Sequence, residues 1–66
     1  MIKVSKFGWV YRVQATPPEV PKPWSSLMPL GAREVVEELI RHGANLHDAY
    51  DAMFECDPMR AAQELR

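Results

Sequence analysis

Sixty-six residues, a formal charge of −1 and a single cysteine exclude several classes of protein at once. So short a chain buries a modest share of its surface, and one thiol closes no internal disulfide. Interspersed acids and bases offer neither nucleic acid nor an anionic membrane a clustered basic face.

The apolar fraction, 47 %, is too high for a disordered chain. No apolar run reaches bilayer length or forms a leader behind Met1, so a reducing cytoplasm is the expected compartment. The expectation is one small α+β domain over residues 1–66: a β-ribbon at 1–14, a proline-rich strap at 15–30 and a helical part at 31–66.

In the first part, Phe7, Trp9, Tyr11 and Val13 alternate with Gly8, Val10, Arg12 and Gln14, the period of a strand. Ile2 and Val4 fall out of step with that series. A hairpin turning at Ser5-Lys6-Phe7-Gly8 restores them, with Val4 opposite Trp9 and Ile2 opposite Tyr11. One bulged strand kinked at Gly8 is the other arrangement.

The second part holds Pro17, Pro18, Pro21 and Pro23, which fix φ, remove amide donors and favour an extended crossover. Pro18-Glu19-Val20-Pro21-Lys22 fits a ligand pattern for aromatic-lined grooves. The apolar Val20, Trp24, Leu27 and Leu30 argue instead for a strap pinned to its own core.

The third part reads as an αα-hairpin with a short third helix. Gly31 starts the first helix, with Glu34 in the capping-box position and Ala32, Val35, Val36, Leu39 and Ile40 on one stripe. Glu37 and Arg41 make an i,i+4 pair, and Gly43 suits the left-handed position after the helix end. Asn45 caps a second helix with Leu46, Ala49, Tyr50, Met53 and Phe54 inward. Asp57-Pro58 opens the third, carrying Met59, Ala62 and Leu65.

Helix–turn–helix binding of DNA is disfavoured because the second helix would present His47, Asp48, Asp51 and Glu55 to a polyanion. A ribbon–helix–helix dimer fits the element order, but a whole proline segment separates ribbon from helix. Those same four side chains form an incomplete metal set, lacking the oxygens that calcium needs and the thiolates or imidazoles that zinc needs. Cys56 lies between Glu55 and Asp57, which oppose thiolate formation. No catalytic residues, metal, cofactor or small-molecule substrate are therefore expected.

What remains is an aromatic ribbon with free edges and an acidic helix face. Phe7, Trp9, Val10, Tyr11 and Arg12, together with Asp48, Asp51 and Glu55, are the candidate partner-binding residues. The expected partner is another protein or a second copy of the chain, in an adaptor, inhibitor or accessory-subunit role. This is a size class shared by many virus- and plasmid-encoded regulators. The competing expectation is a dimeric transcriptional regulator touching DNA through Lys3, Lys6 and Arg12 of the ribbon.

Overall fold

A computed structural model, describing residues 1–65, shows a three-stranded antiparallel sheet followed by three helices, the α+β class read from the sequence. The strands are β1 (Ile2–Phe7), β2 (Val10–Ala15) and β3 (Trp24–Pro29), in the order β1-β2-β3. The helices are α1 (Ala32–Arg41), α2 (Leu46–Cys56) and α3 (Pro58–Glu64).

The hairpin turns on Gly8 and Trp9 alone, so Phe7 faces Val10, Val4 faces Val13 and Ile2 faces Ala15. This corrects the expected four-residue turn and its register. Gly8 has φ +57° and, among the described residues, only glycines have positive φ, the pattern of a two-residue turn with glycine first, whose twist suits the flanking strands. The shorter loop keeps six cross-strand pairs that a turn at Ser5–Gly8 would have reduced.

β3 is a second correction, because residues 24–29 were expected to belong to the strap. They pair along β2 from Ala15–Trp24 to Val10–Pro29. The Thr16 amide donates to the Met1 carbonyl at 2.7 Å. By antiparallel alternation, Gln14, Arg12 and Val10 then bond β1, while Ala15, Val13 and Tyr11 bond β3. The outward amide row of β3 falls at Ser25, Leu27 and Pro29, in phase with Pro23. Both prolines thus sit where no ladder bond is lost, as edge-strand prolines must.

Residues 16–23 remain as the strap. Its Val20 is only 1 % exposed and pins the strap to the core, while Pro17, Pro18, Pro21, Lys22 and Pro23 stay exposed. Leu27, expected as a strap anchor, instead lies on the outer sheet face.

The helices cover the opposite face, where Tyr11, Val13, Val20, Val35, Leu39 and Met53 are fully buried. Asn45 caps α2 by accepting the Asp48 amide at 2.8 Å, and Asp57 caps α3 by accepting the Arg60 amide at 3.3 Å. Gly43, at φ +104°, ends α1. Gly31 precedes α1 without a side-chain cap, and the first α1 amide, that of Ala32, donates to Glu64 Oε1 at 2.8 Å, tying α1 to the far end of α3. Arg41 pairs with Glu38 rather than with Glu37. Ile40, Leu46, Phe54 and Met59 lie further from the core than their stripes suggested. Among the described residues no helix is long and apolar enough to cross a membrane.

Candidate protein-binding surface

Strand alternation sends every second side chain of the sheet away from the helices. On that outer face Phe7, Val10 and Pro29 form one cross-strand row, and Ser5, Arg12 and Leu27 form the next. Phe7 is 55 % exposed, Leu27 66 % and Trp9, at the hairpin tip, 88 %. Val10 is half-buried and Arg12 exposed. Four of the expected ribbon residues, Phe7, Trp9, Val10 and Arg12, thus gather at one end of the sheet. Leu27 and Pro29 complete the patch and were missed, because nothing in the sequence announced a third strand.

Tyr11 is the exception and a correction. It is fully buried on the helix-facing side, and its hydroxyl donates to Asp57 Oδ2 at 2.7 Å. Lys6 Nζ lies 3.8 Å and Arg60 Nε 3.7 Å from the same oxygen. The Tyr11 hydrogen bond, with the Arg60 amide and the two cations, holds the Asp57 carboxyl below the usual range despite some desolvation. Burial, and then Asp57, push the Tyr11 phenol upward, so it stays protonated as donor. Tyr11 pins β2 to the start of α3 and is no contact residue. Lys6, engaged at this junction, is turned away from Lys3 and Arg12.

On α2, His47 Nδ1 approaches Asp51 Oδ2 at 3.3 Å, while Asp48 is tied to Asn45. Asp48, Asp51 and Glu55 line a cleft with Ile2, Glu19 and Ala52 beside β1. The acidic residues are therefore together, on the helix side of the sheet and apart from the aromatic patch. Among the described residues no three His, Cys, Asp or Glu side chains converge as a metal site. Cys56 is half-buried, and its thiol is pushed up by burial first and by Asp57 second.

Charge divides between the layers. The strands carry Lys3, Lys6 and Arg12 and no acid, whereas residues 32–66 hold eight of the nine acidic residues and only four of the eight basic ones. A near-neutral total thus conceals a basic sheet and an acidic helical layer. No protein-family model, curated protein or solved structure matches this chain.

Proposed function

We propose that this chain is a non-catalytic protein-binding module of the cytoplasm, acting as an adaptor, inhibitor or accessory subunit. The observation that carries the reading is the outer sheet face, where Phe7, Trp9, Val10, Leu27 and Pro29 lie exposed or half-exposed beside Arg12. Single apolar residues at a surface need no explanation, but a clustered set with tryptophan and arginine has the composition of an interface centre. A half-buried thiol with a raised pKa supports a structural role for Cys56, and its free state suits a reducing compartment.

The test is affinity capture by the intact chain, compared with Trp9→Ala and Phe7→Ala. Both changes lie at exposed positions and should leave helical content unchanged. Loss of the captured protein from both variants would support the reading, and undiminished capture by both would remove it.

A nucleic-acid role has one observation in its favour, the sharing of the acid-free outer face by Lys3 and Arg12. Two phosphate contacts would give a log–log salt slope of only about −2, far weaker than dedicated DNA readers show. Retardation of duplex DNA at low salt, abolished by Arg12→Glu, would revive that role.

A further inference from the structure

The two edges of the sheet are unlike. The β3 edge offers outward amides only at Ser25 and Leu27, bracketed by Pro23 and Pro29. The β1 edge carries no proline. Since Lys3, Ser5 and Phe7 bond β2, the N–H and C=O groups of Ile2, Val4 and Lys6 point outward. Among the described residues no hydrogen bond outside the β1–β2 ladder reaches them. Such a row is a template for another strand.

We propose that this open β1 edge docks an extended segment of another protein carrying lysine or arginine at alternate positions. The inference rests on the protein-binding reading above and names the kind of partner. It follows from what overhangs the edge. Helix α2 packs over β1, and the cleft between them is lined by Ile2, Lys3, Val4, Ala52, Glu55 and Cys56, continuing to Glu19, Asp48 and Asp51, so that carboxylates outnumber its one lysine.

A strand added to β1 turns every second side chain under α2. There a long cationic side chain lays its aliphatic stem on Ile2 and Val4 and brings its head to the carboxylates of Asp51 and Glu55. The intervening side chains emerge on the outer face beside Lys3, Ser5 and Phe7, where apolar groups extend the exposed patch. Main-chain pairing supplies the docking and the carboxylates supply the choice of partner.

A second copy is the poorer occupant. Pairing two β1 strands would align two α2 ledges, setting Asp48, Asp51 and Glu55 of each against their like. Charge repulsion of that kind is how interfaces reject wrong partners.

The test titrates the intact, isotope-labelled chain with a blocked peptide of alternating lysine and valine, matched to the six residues of β1. Binding should protect the Val4 and Lys6 amides from exchange, because those of Lys3, Ser5 and Phe7 are already bonded. The double variant Asp51→Lys/Glu55→Lys, altered only at exposed positions, should bind roughly tenfold more weakly. Methylating the peptide amides on its pairing side should abolish binding.

Equal binding of a glutamate–valine peptide would overturn the proposal, as would binding without new protection at Val4 and Lys6. Concentration-dependent protection in the absence of peptide, with a doubled mass, would assign the edge to a second copy and overturn it too. The protein-binding reading stands or falls separately, on capture by the Phe7 and Trp9 variants.

Discussion

Replacing Tyr11 by phenylalanine removes one oxygen from a buried side chain whose ring is otherwise retained. The lost interaction is a 2.7 Å hydrogen bond to a carboxylate, a class worth about 1.5–3 kcal/mol. Asp57 keeps Lys6 and Arg60 within 4 Å, and its side chain is 15 % exposed, so the carboxylate is not stranded. The low end applies, about 1.5–2 kcal/mol, or a fall in Tm of about 10 °C for a domain of this size.

The pH dependence has a defined sign. Asp57 has a folded pKa below its unfolded value of about 3.9, so its contribution is complete above that value and is lost as pH falls toward the folded pKa. Because Tyr11 is the largest cause of the depression, the stability gap between wild type and Tyr11→Phe should narrow below about pH 4. Urea unfolding of both proteins at several pH values measures this. A neutral-pH gap under about 0.5 kcal/mol, or one that does not change with pH, would refute the assigned role of Tyr11.

Gly43→Ala forces an L-residue to φ +104° and drives its Cβ to 2.5 Å from Pro21 Cδ. It should cost about 2–3 kcal/mol, seen in thermal melts, whereas Gly8→Ala, at φ +57° with nothing nearby, should cost about 1 kcal/mol. Val20→Ala should cost about 2 kcal/mol in the same assay, because the strap's anchor is buried in the core. Cys56 should alkylate more slowly than an unhindered thiol, and Asp57→Asn should speed it by removing a charge that raises its pKa, both followed by mass spectrometry.

The helices were legible because their ends carry local signals. Asn45, Gly43 and Asp57-Pro58 act within one turn of themselves, and no distant contact is needed to read them. The cap of α1 was not, since Glu64 reaches Ala32 from the other end of the helical layer.

The ribbon misled because it is apolar on both faces. Phe7 and Tyr11 share a parity in the sequence, yet a two-residue loop between them puts them on opposite sides. β3 was hidden by its prolines, which usually argue against strands and here lie on an amide row that bonds nothing. The aromatic tip and the acidic face of α2 could be read, because each lies within one short stretch of the sequence. The roles of Leu27, Pro29 and the β1 edge arise from strand pairing, which no local pattern encodes.

Residue-resolved amide exchange in the unliganded chain decides whether β1 offers an unfilled edge. An open edge gives alternation along β1: slow exchange at Lys3, Ser5 and Phe7, fast exchange at Val4 and Lys6, and uniformly slow exchange along β2. Slow exchange at Val4 and Lys6 that persists on dilution would contradict it, since the edge would then already be closed within the single chain.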